Sequence, residues 1–185
     1  LADTSDSIIE VKALNSQSFA IYKDRSQWVG IGVGNIFPFV FELRDQQVGP
    51  VSPGSVVQAE NDQYYIGLDG DIYKFDGNRC TSIGGFVKRT IQNDIDWVTS
   101  GRTHGTFDPV NREIWWYWQP NTSSTLWRGI VYRLPYADIP GAFSTLLVFG
   151  FAISASTQWN ELSGIGWDDL AAYTWDNIAN TYPTW

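Results

Sequence analysis

Residues 64–84 read YYIGLDGDIYKFDGNRCTSIG, and this stretch decides the fold class. Tyr64 to Leu68 has the apolar, aromatic make-up of a strand, Asp69-Gly70 is a turn, Ile72 to Phe75 returns, and Asp76-Gly77 turns again. Asp-Gly supplies the positive φ that tight reversals demand, so two such pairs flanking one short strand predict antiparallel pairing.

The same grammar extends in both directions. Upstream, after the turn-rich GPVSPGS at 49–55, the segment 18–34 (SFAIYKDRSQWVGIGVG) reads as a hairpin with KDRS at its tip. Residues 37–43 (FPFVFEL) predict a further strand, which Pro38 confines to a sheet edge or a strand start. Downstream, 103–120 (THGTFDPVNREIWWYWQP) gives a strand, the turn DPVN and a return strand that is large and mostly aromatic on both sides. Such a strand requires cover on both faces, from a neighbouring sheet or another subunit. Residues 130–134 then pair with 143–148 across PYADIPGA. The end of the chain leaves the pattern. Trp159, Trp167 and Trp175 stand eight residues apart, and either a short repeated strand and turn or a loosely helical 167–173 segment fits them.

The expected fold is all-β: antiparallel hairpins forming propeller-like blades, part of a propeller, or layers of a sandwich. The approximate units are 1–48, 49–101 and 102–150, followed by a Trp/Asp-rich segment 151–185. Blades of about 40 to 45 residues would give roughly four in 185 residues. So few blades leave open edges, which predicts closure by neighbouring chains or by further sequence. With Leu1 in first place and no Met, the chain is expected to be a processed product or a piece of a larger protein.

Composition narrows the function classes. The net charge is −8, and beyond Arg133 the acids Asp138, Glu161, Asp168, Asp169 and Asp176 stand without a single Lys or Arg. Such a surface repels phosphate, so gripping a nucleic acid is not expected; letting DNA slide past without sticking is compatible with it. The longest apolar run, 146–153, is far shorter than the roughly 20 residues that span a bilayer. The lone Cys80 excludes an internal disulfide and is expected to be a buried small apolar side chain.

Chemistry-bearing patterns are sparse. His104 is the only histidine, no GxSxG elbow exists, and GIGVGN at 30–35 lacks the helix and Lys-Ser/Thr of a phosphate loop. Asp69, Asp71 and Asp76 depart from a calcium loop because Tyr73 stands where an oxygen ligand belongs. No catalytic residue, metal or cofactor is therefore expected. The aromatics carry the remaining signal: Trp115, Trp116, Trp118 and Trp127 are candidates for packing or a subunit interface. In an alternative reading, a carbohydrate-binding module, Trp167, Asp168, Trp175 and Asp176 would contact a glycan through ring stacking and carboxylate hydrogen bonds.

Taken together, VGPVSPGSVVQAENDQ (48–63), the 64–84 stretch, FAIYKDRSQWVGI (19–31) and FDPVNREIWWYWQP (107–120) resemble a known family over residues 15–135. It is the β-propeller-like region of the tail nozzle proteins of short-tailed bacteriophages, also called tubular protein B. The resemblance implies a virion structural protein in the tail, assembled in the host cytoplasm, which forms a homo-oligomer with six-fold symmetry. Its implied partners are the tail adaptor and other tail proteins, and it would line the channel through which DNA leaves without specific binding. It brings no catalytic residues. Nozzle proteins are several times longer than this chain.

Overall fold

The computed structural model describes residues 5–150 except 35–37, 47, 124–125, 138 and 145–146, and of Leu147–Gly150 the backbone alone. Along these residues three antiparallel meanders follow one another. Sheet 1 runs in chain order through β1 (Ile8–Ala13), β2 (Ser18–Lys23), β3 (Gln27–Gly32) and β4 (Phe39–Asp45). Sheet 2 does the same through β5 (Val57–Ala59), β6 (Asp62–Ile66), β7 (Ile72–Phe75) and β8 (Cys80–Ser82). Sheet 3 contains β9 (His104–Asp108), β10 (Glu113–Trp118) and β11 (Leu126–Arg133). Its last position is shared by β12 (Ala142–Phe143) and β13 (Leu147–Gly150), which pair with different parts of β11.

The expected hairpins are present, with differences of detail. β2 and β3 pair from Ser18↔Ile31 to Tyr22↔Gln27, and β4 follows Pro38 as an edge strand. The two Asp-Gly pairs sit in loops wider than two residues: β6 and β7 pair last at Ile66↔Ile72, and β7 and β8 at Phe75↔Cys80. Gly70 and Gly77 do adopt positive φ, +72° and +86°. The loops are wider because Asp69 and Asp76 turn their carboxylates back onto backbone N–H groups of Asp71, and of Asn78 and Arg79.

The described residues hold three sheets, the hairpins at 103–120 and 130–148 joining in one through the pairing of β10 with β11; the count of roughly four units includes 151–185, which lies outside the described residues. Strand β1 and helix α1 (Lys88–Asp94) stand where no element was assigned. The helix is only seven residues long and buries Ile91 as its apolar anchor, so it shows no periodic pattern.

The sheets stack face to face in chain order. Residues paired directly across an antiparallel ladder project to the same side, and neighbours along a strand to opposite sides. Tyr65, Tyr73, Phe75 and Cys80 of sheet 2 therefore pack with Ala20, Tyr22 and Val29 of sheet 1. From the opposite side, Val57, Ala59, Tyr64, Ile66 and Ile72 pack with Ile114, Trp116, Trp118, Ile130 and Tyr132 of sheet 3. Helix α1 adds Ile91 to this second core, with Ile95 just beyond its end. The middle sheet is thus packed against a neighbouring sheet on both faces; among the described residues sheets 1 and 3 each meet another sheet on one.

Candidate functional site

The aromatic return strand is divided by its own alternation. Ile114, Trp116 and Trp118 face sheet 2 and are fully buried, whereas Trp115 and Tyr117 project to the opposite side and are half-buried. The Trp116 indole donates to the Ser55 carbonyl at 2.9 Å, and the Trp118 indole to Asp94 Oδ2 at 2.7 Å. Asp94 also holds the guanidinium of Arg128. Trp116 and Trp118 are therefore core residues, Trp116 tied to the segment that leads into sheet 2 and Trp118 to helix α1 between sheets 2 and 3.

Trp115 and Trp127 occupy sheet 3's outward face. Tyr117 lies opposite His104 across the β9–β10 ladder, and the His104 ring stands 5.3 Å from Tyr117 and 5.7 Å, edge-on, from Trp127. Trp115 stacks along the strand beside Tyr117 at 6.4 Å. Thr106 and Val131 flank Trp115, and the rim holds an ion pair between Glu113 and Arg133 at 2.7 Å. The result is an open aromatic platform. His104 belongs to it and was not foreseen as a site residue. Counting back symmetrically from the DPVN turn would place His104 opposite Trp115, but the ladder pairs Asp108 with Glu113 and so sets His104 opposite Tyr117, a shift the sequence does not record.

At the far end of the stack the outward face of sheet 1 is apolar throughout its centre. Val11, Phe19, Ile21, Trp28, Phe39, Phe41 and Leu43 share it by register. Phe19 meets Phe39 and Phe41 edge-on, at 5.3 and 6.2 Å. Its ring lies flat across Gly30, where a Cβ would come within 2.4 Å of it. Val11, Phe39, Phe41 and Leu43 remain 40–49% exposed. Ile21 and Trp28, on the two central strands, are buried, so the exposed apolar area lies on the outer strands β1 and β4, and exposed apolar patches mark contact surfaces.

The acidic residues of the 64–84 stretch form a structural clamp. The Lys88 ammonium of α1 bonds Asp69 at 2.5 Å and approaches Asp71 at 3.4 Å, while Tyr73 and Ser82 donate to the same two carboxylates. The hydrogen bond to Asp69 raises the Lys88 pKa, so the ammonium stays charged in the clamp. Asp76 lies apart from them. Burial would raise its pKa, but the N–H groups of Arg79 and Asn78 outweigh this and hold it low. Among the described residues no group of three or more His, Cys, Asp or Glu is arranged to hold a metal ion. Cys80 is buried, and desolvation pushes its thiol up to about 12, so it is a packing residue.

A groove of about 400 Å³ opens between sheets 1 and 2, lined among others by Gln17, Ile31, Arg44, Asp76 and Asn78. Its one lining carboxylate is occupied by backbone N–H groups, so it offers no facing pair of acids. The remaining sequence candidates, Trp167, Asp168, Trp175 and Asp176, lie outside the described residues. Six of the twenty acidic residues and none of the twelve basic ones also lie there, so the acidic surface read from the sequence rests on that part of the chain. No helix among the described residues is long and apolar enough to cross a membrane. The chain matches no protein-family model and no curated protein.

Proposed function

We propose that this chain is a structural component of the tail nozzle of a short-tailed bacteriophage, a β-propeller-like section of the tube through which the genome leaves. Support comes from one observation above the rest: among the described residues three meanders stack in chain order, and the outer strands of sheet 1 leave Val11, Phe39, Phe41 and Leu43 exposed. Sheets so arranged are built as blades are, each covered by the next, and a stack with open ends works by joining an assembly. The role is passive. The protein would assemble as a homo-oligomer, in a six-fold ring with the tail adaptor and other tail proteins as neighbours, and acidic side chains would keep DNA from adhering as it passes. On this reading it resides in the virion tail after assembly in the host cytoplasm.

A second reading has its own observation. His104, Trp115, Tyr117 and Trp127 form a half-open ring platform, which is the chemistry of a saccharide-binding surface. Sequencing the DNA that flanks the gene separates the two. Portal and tail adaptor genes beside it are expected. A setting of polysaccharide-processing genes, with retention of the protein on a glycan array, would overturn the nozzle reading in favour of the carbohydrate module.

A further inference from the structure

We infer that the groove between sheets 1 and 2 binds a neutral saccharide, held by side-chain amides over an apolar floor. The site is separate from the ring platform of sheet 3, and the inference does not depend on the virion assignment.

The groove lies where turns of the first two sheets meet. The turn after β1 contributes Asn15 and Gln17, the turn after β5 contributes Asn61, and the turn after β7 contributes Asp76, Gly77 and Asn78. Between sheets 2 and 3 the corresponding junction is bridged. There the Arg112 guanidinium, from the turn after β9, reaches Glu60 in the turn after β5 at 2.9 Å. It also donates to the Pro135 carbonyl at 3.2 Å and lies 4.8 Å over the Tyr136 ring. No such tie joins Asn61 to the turn after β1, because the side chains of Gln17 and Asn61 bond no other described residue. Two like junctions thus differ: a charged side chain crosses one, and the other leaves a volume of about 400 Å³. That volume lies in the range of small-ligand sites, about 300–1,000 Å³.

The lining suits a sugar better than an ion. Val29 and Ile31 belong to the face of sheet 1 that packs on sheet 2, and with Leu14 they make the floor apolar. Asn15, Gln17, Ser18, Asn61 and Asn78 supply neutral hydrogen-bonding groups around it. An amide both donates and accepts, as a sugar hydroxyl does, and an apolar floor takes the C–H face of the ring. The two charged side chains of the lining are already engaged. Arg44 pairs with Glu42 at 2.6 Å, and Asp76 accepts the N–H groups of Asn78 and Arg79 at 2.8 Å. An anion would meet Asp76 and Glu42 against Arg44 alone, and a cation would find a single lining carboxylate. Without a facing pair of acids, the groove binds a glycan and does not cleave it.

The test is an array of neutral and anionic glycans probed with the 185-residue chain, followed by calorimetric titration of the neutral glycan retained. Wild type is expected to be retained on neutral glycans. The double variant Gln17→Ala/Asn61→Ala removes two groove amides that hold no other described residue. Its urea midpoint should match wild type while its affinity falls at least about 10-fold. Should that variant prove less stable, Gln17→Glu/Asn61→Asp keeps both shapes, removes the same N–H donors and should lose affinity to the same extent. Trp115→Ala, on the platform, should bind as wild type does. Absence of retention overturns the inference, and so does retention of anionic glycans alone. Binding that is lost in Trp115→Ala and kept in the groove variants also overturns it, and moves the saccharide to the platform. None of these outcomes decides whether portal and tail adaptor genes flank the gene, so the nozzle reading stands or falls separately.

Discussion

Between sheets 1 and 2 the side chains that meet include Tyr22, Gln27, Gln63, Tyr65 and Cys80, whereas between sheets 2 and 3 they include Ile66, Ile72, Ile114, Trp116 and Ile130. At the first contact Tyr22 donates to Gln63 Oε1 at 2.7 Å, and Gln63 Nε2 donates to the Ala13 carbonyl at 2.9 Å. The Cys80 N–H donates to Asp45 at 2.8 Å, tying sheet 2 to the edge strand of sheet 1. At the second, hydrogen bonds lie at its margin, at Ser55, Asp94 and Glu60, and the centre is apolar. Apolar burial is strong but tolerates sliding, while buried polar groups are satisfied in only one placement. One sheet thus uses one face for cohesion and the other for register.

The comparison breaks most visibly at Trp116, which is fully buried at the centre of the apolar contact. Trp116→Ala should lower unfolding stability by about 3–5 kcal/mol, from lost transfer energy and the cavity left behind. Urea titration measures it. A loss below about 1 kcal/mol would mean that the contact between sheets 2 and 3 does not hold the fold.

A smaller effect is expected at the polar contact. Tyr22→Phe keeps the ring, which lies edge-on to Tyr65 and Phe75 at 5.2 and 5.8 Å, and removes one buried hydrogen bond. The cost should be about 1–2 kcal/mol, because Gln63 Oε1 loses its partner away from water. In a double-mutant cycle with Gln63→Leu the two sites should couple by about 1 kcal/mol. Additive losses would show that the bond contributes nothing to register.

The sequence carried the strands whose apolar residues are dense or alternating and hid the elements that have no such pattern. Trp116 and Trp118 alternate with Trp115 and Tyr117, so opposite sides were legible. Which side would be covered was not, because it depends on sheet 2, brought in from dozens of residues away. Strand β1 was missed because Ile8 and Val11 are exposed and Glu10 and Lys12 interrupt the run. Helix α1 was missed because it is held by polar ties, from Lys88 to Asp69 and from Gln92 to the Asp69 carbonyl, which have no periodic signature. The platform's fourth ring, Trp127, reaches His104 only through the registers of three adjacent strands. Glycine-bearing loops announce hairpins, but the stacking of sheets is decided by contacts the local pattern does not record.

The two contacts also part under alkali. Cys80 is buried in the polar one, where desolvation first and nearby carboxylates next outweigh the Tyr65 hydrogen bond and raise its pKa from 9.0 to about 12. Burial likewise raises Tyr22, Tyr65 and Tyr73 at the same contact above their ordinary 10.0. An unfolded thiol releases its proton near 9 and the folded one resists until about 12, so the folded state binds the extra proton in between. Stability is therefore fully present below about pH 9 and drains as pH rises, by at most about 1.4 kcal/mol per pH unit from this one group. Tyrosines join from about pH 10 upward. The urea midpoint should stay level from pH 7 to 9 and then fall, and Cys80→Ala should delay the fall until the tyrosines begin to ionise. Parallel losses in wild type and Cys80→Ala between pH 9 and 10 would locate the alkaline weakness elsewhere. In that case the chemistry separating the two faces of the middle sheet would be hydrogen bonding alone, with no part played by the buried thiol.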